Sequence, residues 1–259
     1  KLMADIDLSG FDGKSGRPAF NVIGPSYPGH FTGSFDGNGH AISHLTLKGK
    51  DYVGLFGYSA GEVKNVGIVD VNIVGSAYVG GLVGENHGLM TQCYSTGIVS
   101  GHQYVGGLAG WNSGTATRCC STCAVTGTGS DIGGLVGENN YSGNITLSFS
   151  TGAVNGRYYV GGLVGQIISG TVTQCYSIAD VIGESPVGGL VGHLRFDGTV
   201  TACYSAGTVS GTTYSVGGLV GQSDCCILRC VWDVESSGLS TSDGGLGLTT
   251  SSMRDPYML

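Results

Sequence analysis

Charge is scarce in this 259-residue chain: Asp, Glu, Lys and Arg together make up 11% of it, against about 25% in ordinary globular proteins. What charge there is leans acidic, with a formal net charge of −7. No basic stripe is present to displace counterions from a phosphate backbone, so nucleic acid is excluded as a partner. Proline is sparse as well, five residues in all, which leaves few rigid turn-makers. No apolar run approaches the roughly 18 residues a spanning helix needs, so no membrane insertion by this segment is expected. No stretch carries apolar residues at helical spacing over a helical length. Lys1–Leu8 lacks the layout of a signal peptide, and any targeting segment is expected to lie outside the chain. Nine cysteines, an odd number, fit neither a paired disulfide framework nor a zinc-ligand spacing.

Glycine is what the chain has in excess, 50 residues of 259, where ordinary usage is about 7%. Hydrophobic content is a normal 41%, so this is no flexible linker. The glycines follow no three-residue period, so it is not collagen either. They mark a repeat. Taking the Leu of each G-L-x-G gives Leu55, Leu82, Leu108, Leu135, Leu163, Leu190 and Leu219, at successive spacings of 27, 26, 27, 28, 27 and 29 residues.

Each unit holds an apolar-glycine segment such as YVGGLVG (Tyr78–Gly84), an alternating segment such as VTQCYS (Val172–Ser177) and a β-branched piece such as GTVSG (Gly207–Gly211). All are short, rich in Val, Thr and Tyr, and bounded by Gly, Ser or Asn, which reads as strands. Three short strands per 27 residues make one coil of an all-β parallel β-helix, or β-solenoid, with an expected right-handed winding. A β-propeller needs about 40–50 residues per blade, which the period excludes. Alternation in TQCYS puts Cys and Tyr on opposite faces. We place the ladder cysteines (Cys93, Cys119, Cys175, Cys203, Cys230) inside and the tyrosines outside. The glycines are expected at turns needing positive φ or close backbone approach.

The repeated GGLVG core with its CYSTG-like continuation resembles the GLUG-motif repeats of bacterial secreted and surface proteins. KLMADIDLSG with FTGSFDGNGHAISHLTL (Phe31–Leu47) is similar to the lead-in of such arrays, and CVWDVESSGLSTSDGGLGLTTSSM (Cys230–Met253) to their trailing segment. The resemblance implies an extracellular or cell-surface solenoid. Such repeats accompany adhesins, large surface proteins and some immunoglobulin A-cleaving proteases without carrying catalytic residues, so a non-enzymatic role is expected. It divides the chain into a lead-in (1–50), seven repeat coils (51–237) and a trailing segment (238–259) of one continuous domain.

Candidate chemistry is thin. GYSAG (Gly57–Gly61) matches a nucleophile-elbow pattern at Ser59, but that elbow needs a strand-to-helix turn. The repeated GLxG lacks the Lys-Ser/Thr and the helix that a phosphate loop requires. Calcium-binding solenoids carry an Asp in every repeat. Here only Glu85 and Glu138 share a register, two coils apart, so no cofactor is expected beyond adventitious calcium. His40 and His44 are the one histidine pair at close spacing. Of the cysteines, Cys119, Cys120, Cys123, Cys225 and Cys226 are those expected to form any disulfide.

The outward tyrosines are the candidate contact residues for a glycan or a protein: one row of Tyr52, Tyr78, Tyr104 and Tyr159, and a second of Tyr94, Tyr176 and Tyr204 with Phe149. Ordinary cross-coil pairing is the competing reading of both rows. Neither end shows a helix or a charged cap. The chain is therefore expected either to continue into a longer surface protein or to stack end to end with copies of itself into a filament.

Overall fold

The computed structural model describes residues 1–255 as an all-β parallel solenoid of about seven regular turns at about 27 residues each. One coil shows how the sequence builds it. Strand Ala77–Gly80 meets a corner at Gly81-Leu82, continues as Val83–Asn86, turns into Leu89–Thr91, and turns again at Gln92-Cys93 into Tyr94–Gly101. In later coils that last strand divides, as in Cys120–Ser121 and Ala124–Gly127. The three expected strands thus resolve into five segments, because the Gly-Leu corner splits YVGGLVG in two and the Gln-Cys corner does the same to MTQCYS. The strands stack into four parallel sheets of 7, 7, 8 and 15 strands. Register is strict. Val83, Ala109, Val136, Val164, Val191 and Val220 lie one above another.

Of the two expected uses of glycine, close backbone approach holds in the repeated motif and positive φ does not. None of the glycines in the repeated GGLxG motif has positive φ. The left-handed corners carry Tyr52, Tyr78, Tyr104, Asp131 and Tyr159 on one edge, and Asn65, Gln92, Arg118, Leu147, Gln174, Ala202 and Arg229 on another. What the motif glycines supply is room. A methyl group on Gly162 would overlap the Gly189 carbonyl oxygen and the Ser177 hydroxyl, and one on Gly161 would overlap the Val164 carbonyl oxygen. Coil geometry sets these close approaches, so they recur in every turn.

The core is a single cluster running from Leu8 to Trp232. The marker leucines Leu55, Leu82, Leu108, Leu135, Leu163, Leu190 and Leu219 are all buried, as are the ladder cysteines Cys93, Cys119, Cys175, Cys203 and Cys230. Burying one such Leu contributes roughly 1.5–3 kcal/mol, repeated coil after coil.

The C-terminal end corrects an expectation. Two short helices, α1 (Val234–Ser237) and α2 (Thr250–Met253), and a strand, Leu246–Leu248, close it. Asp233 caps α1 by accepting from Glu235 and Ser236 N–H, and also takes the Thr250 hydroxyl. Ser242 Oγ accepts from the Leu219 and Val220 N–H groups, and Asp243 from Ser223 N–H. Edge donors of the last coil therefore find partners within the chain, as unpaired strand edges must. At the other end Ile6–Asp7 pairs with Ile42–Ser43, and Ile23 and Phe31 bridge to Phe56 and Ser59.

Candidate functional site

Two aromatic columns run along the outside, and they differ. In the second, the rings of Phe149, Tyr176 and Tyr204 stack at 4.8 and 4.9 Å with interplanar angles of 3° and 4°. Tyr94 stands apart from them, because Cys120 occupies the register between Tyr94 and Phe149. In the first, Tyr52, Tyr78 and Tyr104 stack at 4.8 Å each. There the column breaks at Asp131, which pairs by register between Tyr104 and Tyr159. Tyr159 then stacks on His193 at 5.1 Å. Stacking has a consequence for the sugar-platform expectation. Ring faces turned toward one another are not available to a sugar, so both columns present mainly edges and hydroxyls.

The first column forms one wall of a shallow groove of about 400 Å³. The opposite wall comes from the neighbouring sheet, where Tyr58, Glu85, Trp111 and Glu138 lie in one register, with His87, Asn140 and Tyr141 just beyond. Aromatic contacts continue along that wall: His87 stacks on Tyr58 at 4.6 Å, Trp111 leans on His87, and Tyr141 meets Trp111 edge-on at 5.7 Å. Trp111 Nε1–H donates to Glu138 Oε1 at 2.8 Å, and Asn140 Nδ2 to the same oxygen at 2.7 Å. His87 is held between the Glu85 carboxylate and the Ser113 hydroxyl.

The groove's electrostatics are one-signed. Burial raises the Glu138 carboxyl above its ordinary pKa, against the pull of its Trp111 and Asn140 donors. Asp131 is 3% exposed. Burial, with the nearby Glu138 charge added, pushes its carboxyl up to about 7, while the Ser130 hydroxyl opposes. Its Oδ2 accepts from Ser130 at 2.6 Å, but its Oδ1 has no partner. Tyr104 is pushed up to about 12 by burial and then by the charges of Glu138 and Asp131.

Other expected chemistry is placed elsewhere. Ser59 ends strand Phe56–Ser59, wholly buried and far from any strand-to-helix turn. It lies at the foot of a ladder that sequence reasoning missed, in register with Asn86, Asn112 and Asn139. Asn86 Nδ2 donates to Asn112 Oδ1 and Asn112 Nδ2 to Asn139 Oδ1, each at 2.7 Å. The signal was present in GEN, GWN and GEN. A buried serine column (Ser95, Ser121, Ser150, Ser177, Ser205) was equally readable in CYS. His40 and His44 bond to Asp5 and Asp7 respectively, not to a shared ligand. Among the described residues no group of three or more His, Cys, Asp or Glu is arranged to hold a metal.

All nine cysteines are unbridged, including Cys119, Cys120, Cys123, Cys225 and Cys226. Their expected pairing fails on placement: register sets Cys120 beside Tyr94 and Phe149 and Cys226 beside Thr199, none of them opposite another of the five. Cys119 and Cys123 are buried while Cys120 sits on the outer column. The ladder thiols instead make weak hydrogen bonds to backbone, as Cys175 does to the Thr173 carbonyl.

The GLUG motif is matched at residues 156–182 and 183–210, two consecutive coils. These two coils carry the GLUG motif. It is similar to halomucin of Haloquadratum walsbyi, 37% identical over 112 residues that cover 39% of this chain. The chain spans about 1% of halomucin's length. In three dimensions it is similar to a Bacteroides ovatus protein provisionally assigned as an immunoglobulin A1 protease, with a TM-score of 0.71 and 23% identity. That likeness covers 97% of this chain and 78% of the other. At such identity it speaks to the solenoid fold alone.

Proposed function

We propose that this chain is a non-enzymatic structural and adhesive segment of a larger cell-surface or secreted protein. The observation that carries the reading is how the buried polar groups are used. Asn86, Asn112 and Asn139 hydrogen-bond along the axis, and Ser150 and Ser205 bond to the Gly162 and Gly218 carbonyls across it. Polar residues committed to stacking coils build a rod and leave few groups for chemistry. Two likenesses support placing that rod outside the cell: the GLUG repeats, and the stretch shared with a much longer protein whose name denotes a mucin.

Antibody labelling of intact cells that express the natural protein tests the location; labelling only after lysis would overturn it. Incubating the purified chain with immunoglobulin A1 and with a polysaccharide panel tests the non-enzymatic reading, and any turnover would overturn that. The end-to-end filament is the second reading. The chain-derived closure of the C-terminal edge by Ser242 and Asp243 weighs against it. Sedimentation at rising concentration should accordingly give a single monomeric species.

A further inference from the structure

We propose that the groove between Tyr52–Tyr78–Tyr104 and Glu85–Trp111–Glu138 binds an organic cation carrying a primary ammonium or guanidinium group. The site stands independently of where the protein resides. Four observations converge on it.

The first is charge. Glu85 and Glu138 line the groove and Asp131 continues its tyrosine column. The one base on the lining, His87, is already engaged by Glu85 and Ser113. Among the described residues, the Lys and Arg ion pairs are Arg17–Asp12, Lys64–Glu62 and Arg157–Glu184, so neither Asp131 nor Glu138 has a cationic partner. The second is an orphan acceptor. Asp131 Oδ1 is buried with no donor, the one carboxylate oxygen among the buried side-chain atoms left without a partner, the others being His30 Nδ1, Ser59 Oγ and Ser95 Oγ; for an acid that is a costly arrangement. Its charge is felt by Tyr104, whose ring lines the groove.

The third is the aromatic setting. Tyr104 stacks on Tyr78 on one side, and Asp131 leaves its other side without a ring at the next register. A ring face beside carboxylates attracts cations. The fourth is backbone conformation. Tyr52, Tyr78, Tyr104 and Tyr159 hold φ of 58°, 55°, 53° and 51°, uncommon for bulky residues. Kept in four coils, this conformation fixes where the rings stand. A neutral sugar fits less well, since stacking consumes most ring faces and the charged groups here are acceptors. The volume of about 400 Å³ suits one side chain or a short diamine.

The test titrates the purified full chain at pH 8 and low salt with two probes, 1,5-diaminopentane and a Gly-Arg-Gly peptide, by calorimetry and by tryptophan emission. Trp111 reports because its indole N–H bonds Glu138. At least one probe should bind saturably, and affinity should fall at least tenfold in Asp131→Asn and in Glu138→Gln. Asp131→Asn should unfold at higher denaturant than the parent, so its lost binding cannot be misfolding. Glu184→Gln, an exposed acid paired with Arg157, should bind as the parent does. Binding of the diamine alone assigns a free amine as the ligand, and of the peptide alone a protein side chain. The proposal is overturned if neither probe saturates at millimolar concentration. It also fails if Asp131→Asn and Glu138→Gln bind like the parent, or if maltotetraose binds the groove and neither cation competes.

Discussion

The two aromatic columns are built from the same residue types at the same spacing, yet they face different problems. Phe149, Tyr176 and Tyr204 stack in consecutive coils, on ordinary backbone and with no carboxylate between them. Tyr52, Tyr78 and Tyr104 stand on left-handed corners, line an acidic groove, and stop at a buried Asp131. Repetition alone gives each ring a partner above and below, and that stabilises a rod. The break in repetition brings charge and an unsatisfied oxygen together in one place. In a solenoid, a departure from the period is therefore where a site can arise.

The largest expected effect comes from removing that break's charge. The folded-state pKa of Asp131, about 7, exceeds the ordinary carboxylate value of 3.8. Between about pH 4 and 7 the native state thus keeps a proton that the unfolded chain has released. Stability falls as pH rises through that window, and the penalty is complete above it. At about 1.4 kcal/mol per pKa unit it reaches on the order of 4 kcal/mol at most. Asp131→Asn should remove it. Urea unfolding should show a gain of a few kcal/mol at pH 8 that shrinks toward zero at pH 4. An equal effect at both pH values would mean the carboxyl is not buried uncharged. The titratable neighbours Glu138 and Tyr104, which share Asp131's field, remain in both proteins, so the difference reports residue 131 together with its coupling to them.

The next contrast is set by backbone. Replacing Tyr176 by glycine removes two stacks, each worth about 0.5–1.5 kcal/mol beyond area burial, and adds the chain entropy of glycine. Replacing Tyr78 by glycine removes two stacks as well but relieves a left-handed non-glycine residue, worth about 1–2 kcal/mol. Tyr176→Gly should therefore cost about 1–2 kcal/mol more than Tyr78→Gly in denaturant unfolding. Equal costs would show that the corner at φ 55° carries no strain.

These columns also mark how far the sequence could be read. The period, the buried leucines and the inward cysteines were legible because a coil-on-coil stack puts like residues in like surroundings. The left-handed corners were not. Closing the coil imposes φ there whatever the residue, and Arg118, Leu147 and Ala202 share that conformation without sharing chemistry. Asp131 was visible only as one of several scattered acids; its meaning needs the register that sets it between Tyr104 and Tyr159. The C-terminal closure was missed for a different reason. Asp233 and Gly238 do mark a helix start and stop, but four residues are too few to show a 3.6-residue period.

A smaller effect separates the polar roles of the two columns' surroundings. Trp111→Phe keeps a ring in the groove wall but takes the 2.8 Å hydrogen bond from Glu138. Losing a bond to a buried carboxylate should cost about 1.5–3 kcal/mol, less whatever Asn140, the remaining donor to that oxygen, recovers. Denaturant unfolding of the two proteins at one pH checks it. An unchanged midpoint would place Glu138 in solvent rather than in the groove wall.

The smallest expected effect is the most direct comparison of chemistry with shape. Tyr176→Phe deletes one hydroxyl from the middle of the unbroken column, where Phe149 already occupies the coil below. Rings held 4.8 and 4.9 Å from their neighbours need only their faces to stack, so the change should stay within about 0.5 kcal/mol. In the broken column, the Tyr104 hydroxyl sits in the field of Glu138 and Asp131. Tyr104→Phe should therefore leave ring stacking intact while weakening cation binding measurably. If both substitutions prove silent, in stability and in binding alike, the first column is a structural copy of the second and the acidic groove beside it is only surface.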